Sequence, residues 1–369
     1  MPTLALPLAV LLGGCDVAKP NPPAAMGPPV HLLAMYPPDG CGVGPDPDCA
    51  PVPINATIKL RFDRFLNTAT TNRQAIQVYT GDPKFSPGIT FQVDYDPVER
   101  VVEFRVPEGQ AFKPQTLYQL VLGEAKDEGD LGIRAFDGAP LSDAELPLHT
   151  SFFTGTAGVA QPADSVPSCE VIMREVFNGV GGCTGKACHN TGEHSYGGVD
   201  LLDAPYALRL DSVAAVQQTA IDRVAHETDL GDDSGGIPAE NSPRFGVRMP
   251  LIDSSSGGPG NSYLMYKLFL SKENYAACVP FAGSTLCPPD PAPAPTGPHV
   301  SVHTDLPLPG GSIVPSDEEL VRLREWFVRG EPMPRLQFDR DGNPVERSVP
   351  LQALRALSLF IAAGAHCGG

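Results

Sequence analysis

The stretch VVEFRVPEGQAFKPQTLYQLVL, residues 101 to 122, holds two runs in which apolar and polar residues alternate, Val101 to Val106 and Leu117 to Leu122, parted by a Gly- and Pro-containing segment. In an extended chain successive side chains point to opposite faces, so this period marks strands with one face buried. The pattern recurs on both sides: Ala56 to Phe62 (ATIKLRF), Ala75 to Tyr79 (AIQVY), Ile89 to Tyr95 (ITFQVDY) and Thr150 to Thr154 (TSFFT), each set between Gly, Pro, Asn or Asp turns. Six or seven such strands predict an all-β sandwich over residues 30–155. No catalytic cluster falls within it. Cys41 and Cys49 bracket GVGPDPD, a loop short enough for a disulfide to close in an oxidising compartment. Asp46 and Asp48 in that loop read as part of a proline-rich turn, because a calcium site needs six or more oxygens.

Toward the N-terminus, TLALPLAVLLGGC is a short apolar run ending in small residues, too short to span a bilayer as a stable helix. It reads as a signal peptide over residues 1–14. Leu12-Gly13-Gly14-Cys15 resembles the lipobox of bacterial lipoproteins, which implies that Cys15 is acylated and becomes the new N-terminus. Residues 15–29 then form a proline-rich tether expected to be extended. The lipobox resemblance thus implies a chain in the cell envelope, lipid-anchored to a bacterial membrane.

Toward the C-terminus, residues 156–167 (TAGVAQPADSVP) are small and proline-containing and read as a linker. Beyond them, over 168–369, the periodicity turns helical. Cys169 to Phe177 (CEVIMREVF) places Val171, Ile172, Val176 and Phe177 on one side of a short helix. Ser316 followed by Glu319 is a capping box, ahead of an apolar stripe of Leu320, Leu323, Trp326 and Phe327, with Gly330 as the stop. Pro350 opens a last helix in which Leu351, Leu354, Leu357 and Ile361 repeat at helical spacing. Between those helices Asp339-Arg340-Asp341-Gly342-Asn343 reads as a tight turn, its glycine two positions early for an EF-hand.

The first of these helices leads into GGCTGKACHNTGEH, residues 181–194, where Cys183 and Cys188 are followed at once by His189. Three chemistries fit. In c-type cytochromes two thiols add to the haem vinyl groups, and the histidine directly after the second thiol lies under the iron. The usual spacing has two residues between the cysteines, and here there are four. Cys183, Cys188, His189 and His194 also supply the four ligands of a zinc site, and Cys183 with Cys188 alone suffices for a disulfide.

Taken together, the segments resemble two known families. An opening strand ending in Tyr36-Pro37-Pro38-Asp39-Gly40, then Ile58 to Phe62, Leu117-Tyr118-Gln119-Leu120 and Ser151-Phe152-Phe153-Thr154-Gly155 are similar in order to the SbsA-type bacterial Ig-like domain, a spacer or adhesive module. Cys183 to His189, Gly197-Gly198-Val199-Asp200-Leu201-Leu202, Gly260-Asn261-Ser262-Tyr263-Leu264-Met265-Tyr266-Lys267-Leu268, Trp326 to Gly330 and Phe360 to Ala365 resemble the cytochrome c-like domain of multidomain bacterial proteins, over roughly 168–367. That resemblance implies a mainly α domain with one covalent haem c on Cys183 and Cys188, His189 as proximal iron ligand, and a Met-Pro methionine as distal ligand. Met333, before the last helix, fits the family order better than Met249, while His299 and His303 are further candidates. Its function would be electron transfer with a redox partner protein; the alternative is a non-catalytic surface or adhesion lipoprotein that has lost haem and keeps its cysteines as disulfides.

Nine cysteines leave an odd one, which an exported protein must explain. With Cys15 lipidated and Cys183 with Cys188 holding haem, the other six pair as Cys41 with Cys49, Cys278 with Cys287, and Cys169 with Cys367. The count balances equally well with Cys183 bonded to Cys188. A net charge of −17 with a pI of about 4.8 repels a phosphate backbone, so nucleic acid is excluded as a partner. The 369 residues predict two domains plus linkers, and 41 prolines with 38 glycines disfavour long helices.

Overall fold

A computed structural model of the chain describes residues 27–42, 49–71, 75–81, 90–123, 132–142, 144, 149–159, 166–177, 195–196, 199–200, 208–225, 249–255, 258–269, 315–326, 337–338, 344–345, 349 and 351–367. A β-rich N-terminal region is followed by a region of helices and two short hairpins.

Seven strands make up the first region: β1 (Leu32–Tyr36), β2 (Ile58–Phe62), β3 (Ile76–Thr80), β4 (Gln92–Asp96), β5 (Val101–Arg105), β6 (Leu117–Leu122) and β7 (His149–Phe153). They form two antiparallel sheets, β1-β2-β5-β4 and β3-β6-β7. With the strands lettered A to G in chain order, these are sheets ABED and CFG, the arrangement of a constant-type immunoglobulin sandwich. Alternation supplies the core between them: Ile58, Leu60, Phe62, Val102 and Phe104 from one sheet meet Ile76, Val78, Tyr118, Leu120, Leu122 and Phe152 from the other. Tyr118, second residue of β6, accepts a hydrogen bond on its hydroxyl from Lys113 N at 2.8 Å, which ties the strand to the loop before it in the manner of the tyrosine corner of such sandwiches.

Strand positions differ from the sequence expectation by a few residues at the ends. Ala56 N bonds Pro53 O, closing a turn that delays β2 to Ile58. At the other end of the region, β7 begins at His149 because that residue still pairs with Val121.

The second region contains α1 (Cys169–Ile172), which runs into a π-helical turn (Met173–Phe177), α2 (Val213–Thr219), α3 (Tyr263–Phe269), α4 (Asp317–Trp326) and α5 (Leu351–Ala362). Hairpins β8–β9 (Ser195–Tyr196, Val199–Asp200) and β10–β11 (Gln337–Phe338, Pro344–Val345) lie between them, so the described part is mixed rather than purely helical. Helix α5 is the hub. Its expected apolar stripe, Leu351, Leu354, Leu357 and Ile361, is buried, and so is the opposite side, including Gln352, Arg355 and Ser358. A helix buried on every side must place its polar groups on partners, and α5 places them on the sandwich.

That junction is extensive. Glu99, in the β4–β5 turn and fully buried, accepts from Arg61 of β2 and Arg355 of α5, each at 2.8 Å. Ser358 donates to Asp96 at 3.2 Å. Phe65, Val98 and Phe136, which come from the first region, belong to the same core as the helices. The Phe65 ring lies 6.2 Å from Tyr266, 5.1 Å from Phe269 and 6.4 Å from Phe136. Burying one such ring contributes about 1.5–3 kcal/mol, so the two regions are held by apolar area as well as by ion pairs.

Candidate functional site

The element that precedes the Cys183-x4-Cys188-His189 segment along the chain is α1. Ser168 caps it, accepting from Val171 N at 3.4 Å, and Glu170 occupies the first turn, where a carboxylate complements the helix dipole. Cys169 is disulfide-bonded to Cys367, which joins the start of α1 to the tail that follows α5. Closing a sequence separation of 198 residues stabilises by about 5 kcal/mol in the chain-entropy account. The far end of this element is held by packing: Ile172, Val176 and Phe177 are buried in the helical core. Phe177, the last described residue of this element, is therefore fixed in the core. Cys183, Cys188, His189 and His194 lie outside the described residues, as do Met333, His299, His303, Cys278, Cys287 and Cys15.

Met249 is described. It is buried in the helical core with Phe177, Leu264 and Leu351, and its backbone is held by a short ladder: Ala225 N donates to Met249 O at 2.9 Å, and Leu251 N to Arg223 O at 2.7 Å. Pro250 O and Leu251 O accept from Tyr263 N and Leu264 N, so this Met-Pro dipeptide seats the start of α3.

The motif Gly260 to Leu268 has a clear structural task. A Cβ on Gly260 would lie 2.5 Å from Tyr95 Cδ1 and 2.9 Å from Tyr95 O, so the turn approaches β4 as closely as only glycine permits. Ser262 donates to Gly258 O and accepts from Asp253 N, closing the turn, and Tyr266 donates its hydroxyl to Gly260 O at 2.8 Å. Burial pushes the Tyr266 phenol well above its ordinary value, with the nearby Tyr95 and Asp96 adding to the rise. Every residue of α3 is buried, and Lys267 lies over the Tyr263 ring at 5.8 Å.

A second ionic cluster was not foreseen from the sequence. Arg64 donates to Asp137 Oδ2 at 2.7 Å and to Glu319 Oε2 at 3.0 Å, while Phe65 N donates to Glu319 Oε1 at 2.8 Å. Half of the expected capping box forms, with Glu319 N donating to Ser316 Oγ at 3.1 Å. The carboxylate does not turn back to Ser316, because the sandwich claims both its oxygens. Burial raises the Glu319 carboxyl above its usual range, opposed chiefly by the Arg64 charge. Nothing local in the sequence pairs Arg64 with Glu319, which lies 255 positions away.

Cys41 and Cys49 are disulfide-bonded. Among the described residues no three His, Cys, Asp or Glu side chains gather to hold a metal ion, and no helix is long and apolar enough to cross a membrane.

No family model and no curated protein matches the chain. Among solved structures it is similar to domains 1–6 of the surface layer protein SbsC at 9% identity, covering 38% of this chain and 17% of that one with a TM-score of 0.23. The N-terminal part of the bacterial S-layer protein SbsC is similar at 10% identity over 38% of this chain and 29% of that one, also at 0.23. An L,D-transpeptidase from Mycobacterium smegmatis is similar at 13% identity over 34% and 40%, with a TM-score of 0.21. The matched part spans less than half the length of each of these structures.

Proposed function

We propose that the chain is an envelope-anchored haem c protein, an SbsA-type Ig-like sandwich joined to a cytochrome c-like domain, tethered through acylated Cys15 and exchanging electrons with a redox partner protein. The observation that carries this reading is the order Cys183, Cys188, His189 in the sequence that follows a helix whose last residues, Val176 and Phe177, are fully buried. The donor set fits the group: two thiols for covalent attachment and an adjacent imidazole for the iron. The end of that helix packs into an apolar core that includes Phe177, Tyr263, Leu264 and Leu351, and a haem held against it would be screened from water on that side. Bound haem supplies one-electron exchange at its iron. The chain's own residues anchor it, orient the imidazole and present a thioether; Met333 holds the position that the family order favours, and Met249 already has its side chain in the core.

Covalent haem survives acid-acetone extraction. Protein matured in a host with a c-type assembly system is expected to retain haem and give a pyridine haemochrome spectrum, and Cys183→Ala with Cys188→Ala to lose both. A bound thioether gives a weak near-red absorption band, which Met333→Ala is expected to abolish while Met249→Ala keeps it.

A second reading has its own observation. Cys41–Cys49 and Cys169–Cys367 are both disulfides, so oxidation is the rule for the described cysteines. A Cys183–Cys188 disulfide would leave a haem-free surface module, and the extraction experiment separates the two.

A further inference from the structure

The N-terminal segment joins the body at the seam between its two regions. Gly27 N donates to Asp137 Oδ2 at 2.7 Å, and Pro28 O accepts from Arg64 Nη1 at 2.5 Å. The same Arg64 reaches Glu319 of α4 and the same Asp137 holds Arg64. Gly27 is pressed into this cluster: a Cβ there would lie 2.7 Å from Asp137 Oδ2 and 2.8 Å from Arg64 Nη2. Beyond it the chain is fixed at each step, Val30 N to Pro140 O at 2.9 Å and His31 N to Asp63 Oδ1 at 2.7 Å.

We propose that the tether is mounted on this seam, so that a lipid surface holding the chain by residue 15 faces the start of α4 and the adjoining end of the sandwich. The sandwich then stands beside the helical region rather than between it and the membrane. This rests on the acylation of Cys15 proposed above for its natural anchor. From residue 15 to residue 27 there are 12 peptide steps, which cannot exceed about 43 Å when fully extended. Strand β5 leads away from the seam: Glu99 sits at it and Glu108 lies nine residues on, past the end of the strand, up to about 30 Å further out. A surface at the end of the tether is therefore nearer on average to α4 than to the 107–110 turn.

The test uses the mature chain with a fluorescent amino acid at Glu318, whose side chain is 70% exposed at the start of α4, or at Glu108, which is exposed at the far end. Each is bound to phosphatidylcholine vesicles that carry a quencher in the headgroup layer. One arm holds the chain by a histidine tag at residue 15 on nickel-chelating lipid, and the other uses the natively processed chain. Quenching at least twofold stronger at 318 than at 108 is expected in the tagged arm. Equal quenching, or stronger quenching at 108, overturns the proposal. If the tagged arm shows the expected gradient while the native chain fails to bind vesicles, the seam mounting stands and the acylation reading falls.

Discussion

Glu99 carries two guanidinium groups on one fully buried carboxylate, Arg61 on Oε2 and Arg355 on Oε1. Burial lowers the Arg61 guanidinium from its ordinary value and the Glu99 charge opposes the shift, so the pair holds only while both partners are present. Removing one partner of a buried ion pair costs about 3–5 kcal/mol. Glu99→Ala is expected to lose that much in urea unfolding, and a loss below about 1 kcal/mol would assign the junction to apolar packing alone. Glu319 makes a pH-dependent claim. Its carboxyl is raised above the unfolded value of 4.5 by burial, so the folded state binds this proton more readily. The contribution is fully present below 4.5 and is lost as pH rises through the raised value. The melting temperature of the wild type relative to Glu319→Gln is therefore expected to rise as pH falls from about 7 to 4. A difference that shrinks on acidification would mean that Arg64 outweighs burial. None of these partnerships was legible in the sequence. Charge partners 38, 255 and 256 positions apart leave no local pattern, and Glu319 carried a local reading, the capping box, that its long-range partners override.

Among the elements, the strands were the most legible, because alternation and turn residues are local signals and β6 falls on Leu117–Leu122 as read. Their ends were less so, since turns such as the one closed by Ala56 N on Pro53 O depend on backbone bonds rather than residue type. Helix α5 showed its apolar stripe but not that its polar side is buried as well. The Gly260 turn illustrates the limit from the other direction: its residues were recognised as a motif, while their work, close contact with Tyr95 of β4, needs the partner strand to be visible. Gly260→Ala is expected to cost about 1–3 kcal/mol, the range for overpacking a tight contact. Chemical denaturation measures it, and an unchanged midpoint would show that the turn can back away from β4.

At the scale of the whole molecule, β-rich and helical regions in the expected order share one seam built from Phe65, Val98, Phe136, Arg64 and Glu99. A composition shift at residues 156–167 marks where the chain changes pattern, and it carries no sign that first-region side chains complete the second region's core. Covalent closure by Cys169–Cys367 and the burial of Phe177 fix the point from which the candidate haem segment departs. On the haem reading proposed above, such a fixed point would let a redox group meet a partner in one orientation. The proposal as a whole turns on the state of two sulfur atoms, and mass analysis reads it directly. In protein matured with a c-type assembly system, the intact mass is expected to include one haem, with thioether bonds mapped to the fragments that contain Cys183 and Cys188. Fragments joined by a Cys183–Cys188 disulfide, with no haem on the chain, would contradict it.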